Sequence, residues 1–304
     1  MKAPPLFVWV TVSIISATML SLTSYFAKDI GRHVNFKRVE CNHLQYKNLL
    51  QNKDLSNEKF KVVIIGNSLL LQALNDPLEL ESKILERHHI NCSIVKITPP
   101  GATLENFLER DSFLEELLRY DPHLLVIQED LFMFSQLKNE HLLRSHVQLT
   151  HLLAFFFQDC EPLPLYNHNP EQANRPDTIL KYEHPFNILQ LPVRDFINDS
   201  DLQNSLSTMI EGQTKLAICH VPYPYEAEMK AEFVRAQSDY LAMLQWAYKE
   251  FDIKYMKYNR PMSIRYFHDA THMSGEGETL YTDWFIEDLV KIILKNREII
   301  DPLK

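Results

Sequence analysis

The chain has 304 residues, 45% of them hydrophobic, and a formal net charge of −9. This acidic balance argues against a nucleic-acid partner, because neutralising phosphates requires concentrated Lys and Arg. The four cysteines lack the CxxC spacing that is typical of zinc sites and redox motifs, so we expect no metal and no cofactor. Cys92 and Cys219 fall in predicted strands, and we expect both to be small buried hydrophobes.

The first segment of the chain is apolar. Residues 3–27 contain no charged side chain and are long enough to cross a bilayer as a helix. A cleaved secretory signal is the alternative, although no clear small-x-small cleavage site follows the apolar run. We therefore expect a single-pass membrane anchor, or a signal, at 1–28 and a connecting segment at 29–59. The basic residues just after the span are Lys28, Arg32, Lys37 and Arg38. By the positive-inside rule they would keep the rest of the chain in the cytoplasm, but large domains can override this rule.

From residue 60 onward, apolar runs alternate with helical periodicities. Strands are predicted at 61–66, 91–97, 123–128, 215–221 and 254–258. Helices are predicted near 76–88, 103–119, 226–250 and 276–296. Residues 60–304 are therefore expected to form one α/β domain, with an insertion at about 131–213 that contains an amphipathic stretch at 139–158. Such alternation predicts a mostly parallel sheet covered by helices on both faces, with its working site at the carboxyl ends of the strands.

Residues with useful chemistry follow the predicted strands. Ser68 comes just after the first strand, where a serine commonly caps a helix. A serine becomes a nucleophile when a base and an orienting carboxylate adjoin it, and Asp269 and His272, three positions apart, could supply both. Backbone N–H groups at Ser68 and Gly101 could face a developing oxyanion. The G-x-S-x-G motif of α/β-hydrolases is absent, because Leu70 occupies its last position.

These residues resemble the conserved blocks of the SGNH (GDSL-like) hydrolase superfamily. Gly66-Asn67-Ser68 is similar to the first block, G-D-S, with Asn in place of Asp. Gly101 is similar to the second-block glycine, and Asp269-Ala270-Thr271-His272 to the terminal D-x-x-H block. The resemblance covers about residues 60–296. It implies a three-layer α/β/α, flavodoxin-like fold with Ser68 as nucleophile, His272 as base and Asp269 as its orienting partner.

The family's third block, G-x-N-D, has no direct counterpart. The third strand ends in Gln128-Glu129-Asp130, so Gln128 is the expected third oxyanion donor beside Ser68 and Gly101. A carboxylate at Glu129 could not donate while ionised. The missing Asn motivates an alternative, in which the chain is a non-catalytic scaffold or binding protein with the same fold.

An anchor joined to this domain resembles the accessory proteins of envelope acylation. The resemblance implies an esterase or O-acyltransferase, with acetyl as the expected acyl group, that acts outside the cytoplasm. It also implies three partners: an acylated glycan, the membrane through residues 3–27, and a multispanning O-acyltransferase. Asn67, Tyr223 and Tyr225 are expected to bind substrate. The two tyrosines offer flat apolar rings to a sugar, although they could equally brace their loop.

Overall fold

In the computed structural model, the described residues are mainly 59–99, 111–133, 200–209, 214–225 and 252–300, with part of 5–18 and scattered single positions. The chain divides into two compact units. One comprises Met1–Asn42 with Leu137–Pro162, and the other comprises His43–Gln136 with Leu163–Lys304.

The first unit is described over residues 7–18, which are helical. The large apolar side chains among them are exposed: Phe7, Trp9, Val10, Val12, Ile14 and Ile15. No helix within the described part of the chain is both long and apolar enough to span a membrane. Residues 19–27 of the predicted anchor lie outside the described residues.

The second unit contains a five-stranded sheet in which every pairing is parallel. Its order is β2-β1-β3-β4-β5. The strands are β1 (Phe60–Ile65), β2 (Cys92–Ile97), β3 (Leu124–Gln128), β4 (Lys215–Cys219) and β5 (Lys254–Met256). Every residue of β1, β2 and β3 is buried, as expected for the continuous apolar runs of a sheet covered on both faces. Ile65 is in register with both Ile97 and Ile127, so these three strands end together.

Six α-helices are defined among the described residues. They are α1 (Ser68–Ala73), α2 (Pro77–His88), α3 (Asp111–Tyr120), α4 (Glu129–Met133), α5 (Ser200–Met209) and α6 (Gly275–Ile300). A short 3₁₀ turn, Ile264–Tyr266, precedes α6. The start of α2 follows from its sequence: Asp76 accepts a hydrogen bond from the Leu78 N–H, and Pro77 occupies the first helical turn.

The core lies on both faces of the sheet. Val62 and Ile64 of β1 belong to a buried cluster that includes residues of α2 and α6. Val63 and Ile65 point the other way, into a cluster that includes residues of α3. This alternation follows from the two-residue period of a strand, and burying each such side chain contributes roughly 1.5–3 kcal/mol. The predicted three-layer arrangement is therefore confirmed.

The predicted strands and the helices predicted near 76–88 and 276–296 agree with the structure except at a few boundaries. Most of the helix predicted at 226–250 lies outside the described residues. The last helix runs to Ile300, beyond its predicted end, and the described part of the helix predicted at 103–119 is defined as Asp111–Tyr120. The short helices α1 and α4 were not predicted, because five or six residues show no helical period. Within the predicted insertion, α5 is described, whereas residues 134–199, including the amphipathic stretch at 139–158, lie outside the described residues.

Candidate active site

The turn after β1 presents Ser68 as the first residue of α1. Its N-cap is Asn67, whose side-chain oxygen accepts a hydrogen bond from the Leu69 N–H at 2.9 Å. The turn is tight at Gly66, where an added Cβ would lie 2.6 Å from Leu70 Cδ2 and 2.9 Å from Gln128 Oε1. Asn67 thus caps the helix in place of Ser68, so the serine hydroxyl has no capping role and is directed to another partner.

That partner is His272, which approaches from the loop before α6. Its Nε2 atom lies 3.1 Å from Ser68 Oγ, and its Nδ1 atom lies 2.7 Å from Asp269 Oδ2. Because an ionised carboxylate only accepts hydrogen bonds, His272 donates from Nδ1 and presents the Nε2 lone pair to the serine. The structure therefore brings the three predicted catalytic residues together in the order nucleophile, base and orienting carboxylate.

The loop that carries Asp269 and His272 is folded by its own hydrogen bonds. Asp269 Oδ1 accepts from the N–H groups of Thr271 and His272, both at 2.7 Å, which is the local turn that Asp commonly forms. Ser274 ends the loop and accepts a 3.4 Å hydrogen bond from the Gly277 N–H at the start of α6. Both carboxylate oxygens of Asp269 are thus engaged, which fixes the direction of the imidazole.

The same contacts set the charge of Asp269. Burial alone would raise its pKa, but the hydrogen bonds from the His272 ring and from the N–H groups of Thr271 and His272 outweigh burial and hold the pKa well below its usual range. Asp269 is therefore ionised at neutral pH. An ionised Asp269 stabilises the imidazolium that forms when His272 accepts a proton.

Gln128 occupies the end of β3 and is 0% exposed. Its Oε1 accepts a hydrogen bond from the Asn67 N–H at 2.9 Å, and its Nε2 donates to Asp130 Oδ2 at 3.2 Å. The carbonyl oxygen of Gln128, not its NH₂ group, therefore faces the serine turn. This orientation differs from the one expected of an oxyanion donor.

The remaining predicted site residues fall in different environments. Tyr223 is 3% exposed and donates from its hydroxyl to Asp130 Oδ2 at 3.1 Å, so its ring is part of the core and its hydroxyl braces the loop. Tyr225 is 48% exposed and keeps an accessible ring. Asn67 serves as the helix cap already described. Gly101 lies outside the described residues.

Two neighbours of the triad were not predicted. Thr271 Oγ1 lies 3.3 Å from Asp269 Oδ1 and 3.2 Å from His272 Nδ1. The His268 ring stacks on the His272 ring at 5.8 Å, with its Nδ1 atom 3.0 Å from the Met273 carbonyl oxygen. Their position inside the D-x-x-H loop was the available signal, but the direction of their side chains depends on the loop's fold.

His268, Asp269 and His272 are a group that could hold a metal ion. Zinc would require bonds of about 2.0–2.2 Å to each ligand atom. Two ligand atoms on one tetrahedral zinc ion lie farther apart than the 2.7 Å between His272 Nδ1 and Asp269 Oδ2. The arrangement fits a hydrogen-bonded pair.

Comparisons with known proteins found no matching family model and no matching curated protein. Among solved structures, the chain is similar to a protein from Bacteroides fragilis assigned as an acylhydrolase, with 12% identity, a TM-score of 0.42, and coverage of 83% of this chain and 97% of that one. It is also similar to a lipase/acylhydrolase from Enterococcus faecalis, with 14% identity, a TM-score of 0.41, and coverage of 75% and 94%. A family two carbohydrate esterase from Clostridium thermocellum, solved with cellohexaose, matches at 9% identity and a TM-score of 0.41, with coverage of 78% and 66%.

Proposed function

We propose that this chain is a serine acyl-ester enzyme. The observation that carries the proposal is the hydrogen-bonded series from Ser68 Oγ through His272 to Asp269 Oδ2. Ser68 Oγ attacks the acyl carbonyl while His272 Nε2 takes its proton. The tetrahedral intermediate then collapses, the leaving alcohol receives that proton from His272, and an acyl-enzyme remains on Ser68. Asp269 keeps its charge throughout and holds the imidazole.

The negative charge that develops on the carbonyl oxygen in the tetrahedral intermediate must be stabilised by hydrogen-bond donors. As the first residue of α1, Ser68 has an N–H group with no acceptor inside the helix, and this N–H would serve the oxyanion. Gly101 is the proposed second donor. Removing one donor of this kind typically lowers the rate by about 10²–10³.

The acyl-enzyme can pass its acyl group to water or to another hydroxyl, so hydrolysis and transfer share the first half of the reaction. We propose O-acyl transfer, with acetyl as the acyl group, on a glycan of the cell envelope. Under this proposal residues 3–27 anchor the chain, the second unit lies outside the cytoplasm, and a multispanning O-acyltransferase is its partner. Support comes from the uncharged span and from the resemblance to envelope acylation proteins.

Product analysis with a defined acetylated oligosaccharide tests the proposal. The full chain, in detergent or membranes, should release acetate or form a newly acetylated sugar, and Ser68→Ala should abolish both. Appearance of the acetylated acceptor identifies transfer, whereas acetate alone identifies hydrolysis. Turnover that persists in Ser68→Ala would contradict the proposed nucleophile.

A second candidate, a non-catalytic glycan-binding scaffold, is favoured by one observation. The Gln128 NH₂ group donates to Asp130 Oδ2, and the Gln128 oxygen is the atom that faces the serine turn. Binding of the same oligosaccharide by the wild-type chain and by Ser68→Ala, with no turnover by either, would support the scaffold over the enzyme.

A further inference from the structure

A row of hydrogen bonds joins the serine turn to the interior of the domain. Tyr223 and Gln128 both donate to Asp130 Oδ2, at 3.1 Å and 3.2 Å. Gln128 in turn accepts from the Asn67 N–H at 2.9 Å. The row thus runs from the loop after β4, through the end of β3, to the residue that precedes Ser68.

The direction of the Gln128 amide follows from its two partners. The Asn67 N–H can only donate, so the Gln128 oxygen must face it, and the NH₂ group then faces the acceptor Asp130. Because Gln128 is fully buried, reversing the amide would leave a donor against a donor and an oxygen against a carboxylate. Each unsatisfied buried group of this kind costs about 1–3 kcal/mol.

The two N–H groups that flank Ser68 are both occupied. The Asn67 N–H is bonded to Gln128 Oε1, and the Leu69 N–H is bonded to Asn67 Oδ1. The Ser68 N–H lies between them. Two fixed neighbours therefore set the direction in which this N–H and the serine hydroxyl are presented.

We propose that Gln128 is a positioning residue for the nucleophile turn: its carbonyl oxygen, held by the Asp130–Tyr223 pair, fixes the Asn67 N–H and through it Ser68. This inference rests on the proposed function and assigns Gln128 a different part from that of an oxyanion donor. Gln128 stabilises the turn before substrate arrives and does not touch the reacting carbonyl.

The position of Gln128 also accounts for the glycine at position 66. A side chain at position 66 would place its Cβ 2.6 Å from Leu70 Cδ2 and 2.9 Å from Gln128 Oε1, the atom that accepts from the Asn67 N–H. The glycine therefore gives Gln128 access to the Asn67 N–H.

Amide hydrogen exchange at Asn67 tests the proposal without depending on activity. Gln128→Met keeps the length of the side chain but removes donor and acceptor, and it should speed exchange of the Asn67 amide at least tenfold. Tyr223→Phe should have a smaller effect in the same direction. Gln72→Met is the matched control on α1, since Gln72 Oε1 has no hydrogen-bond partner among the described residues, and it should leave Asn67 exchange unchanged.

Kinetics of a fluorophosphonate probe, which labels activated serines, give the second readout. Gln128→Met should slow labelling about tenfold or more. Gln128→Glu should label slowly at high pH, because the new carboxylate faces that of Asp130. As the pH falls, a shared proton restores the hydrogen bond to Asp130, and the labelling rate of the variant relative to that of wild type should recover.

Unchanged Asn67 exchange in a folded Gln128→Met variant would overturn the positioning role, whatever the labelling rate. Loss of labelling in that variant with unchanged exchange would instead favour a donor to the oxyanion. If wild type does not label at all, the proposed function fails, while the exchange measurement still decides whether Gln128 holds the turn.

Discussion

Asn67 and Ser68 make different contacts at the start of α1. Asn67 accepts the capping hydrogen bond from Leu69, whereas Ser68 Oγ contacts His272. Ser68→Ala should therefore change the free energy of unfolding by no more than about 0.5 kcal/mol, as for a site without a cap. Asn67→Ala removes the cap and should cost about 1 kcal/mol. Urea denaturation of the two variants measures this, and a larger loss in Ser68→Ala than in Asn67→Ala would contradict the assignment.

Asp269 is expected to affect both rate and acid stability. Asp269→Asn preserves shape but favours the wrong imidazole tautomer, and it should lower turnover by up to about 10⁴-fold.

The depressed pKa of Asp269 in the folded chain means that its charge contributes stability above the unfolded value of about 3.9. That contribution is lost as the pH falls through the folded pKa. The stability gap between wild type and Asp269→Asn should therefore shrink as the pH is lowered below 4 in a denaturant series, and a gap independent of pH would contradict it.

The sequence was sufficient to choose Ser68, Asp269 and His272, because each stands after a predicted strand or beside a helix start and their types form a known set. It was not sufficient for Gln128 and Tyr223. The direction of the Gln128 amide depends on Asn67, 61 positions away, and the hydrogen bond of the Tyr223 hydroxyl depends on Asp130, 93 positions away.

Among the elements, the junction between α6 and the 3₁₀ turn is tightly packed. An added Cβ at Gly277 would lie 2.1 Å from the Tyr266 carbonyl oxygen, so Gly277→Ala must push the helix away from the turn that leads into the Asp269–His272 loop. We expect a loss of about 1–3 kcal/mol, as for other overpacked sites, together with slower labelling of Ser68.

Thr279→Ala is the control for that change. Thr279 lies half a turn further along α6, and its hydroxyl bonds to the Gly275 carbonyl at an exposed position. Its loss should stay within about 0.5 kcal/mol. Thermal melts of the two variants make the comparison, and equal losses would show that the close approach at Gly277 is unimportant.

Strand β2 holds the end of α1 through a buried lysine. Lys96 Nζ donates to the carbonyl oxygens of Leu74 and Asn75 at 2.6 Å and 3.0 Å. Burial lowers the pKa of Lys96 to about 8, although the charges of Glu278 and Asp76 act in the opposite direction. Between pH 8 and the unfolded value of about 10.4, the unfolded chain binds more protons at this site, so stability contributed by Lys96 rises with pH.

Lys96→Met isolates that effect from other groups that titrate in the same range. The free energy of unfolding of wild type minus that of Lys96→Met should increase from pH 8 to pH 10 in chemical denaturation. A constant or falling difference would contradict a lysine whose pKa is lowered by burial. At neutral pH the variant leaves two carbonyl groups without their donor, which costs about 1–3 kcal/mol each where they stay buried and unsatisfied.

The longer elements followed from the sequence because apolar periodicity marks them, as in β1 and α2. Helices α1 and α4 did not, since helices of five or six residues that follow β1 and β3 are too short to show a repeating pattern. The close approach at Gly277 was likewise not predicted, because its constraint comes from the Tyr266 carbonyl.

At the scale of the whole molecule, the parallel sheet is what assembles the site. Ser68 and His272 are 204 positions apart in the chain, yet the common end of β1 and β3 and the loop before α6 place them in contact. The alternation of strands and helices in the sequence predicted a site at this edge of the sheet, because the carboxyl ends of parallel strands lie at the same edge. The strand order was not predicted, since it depends on long-range packing that a local pattern does not encode.

Covalent labelling of the intact folded chain with a fluorophosphonate, followed by peptide mapping, tests whether Ser68 is an activated nucleophile. We expect one modification, on Ser68, whose rate falls strongly in His272→Ala and Asp269→Asn and which disappears in Ser68→Ala. We expect that reactivity because His272 lies 3.1 Å from Ser68 Oγ and 2.7 Å from Asp269 Oδ2. A folded wild-type chain that leaves Ser68 unmodified, or that is modified equally in Ser68→Ala, would contradict the claim that Ser68 is an activated nucleophile.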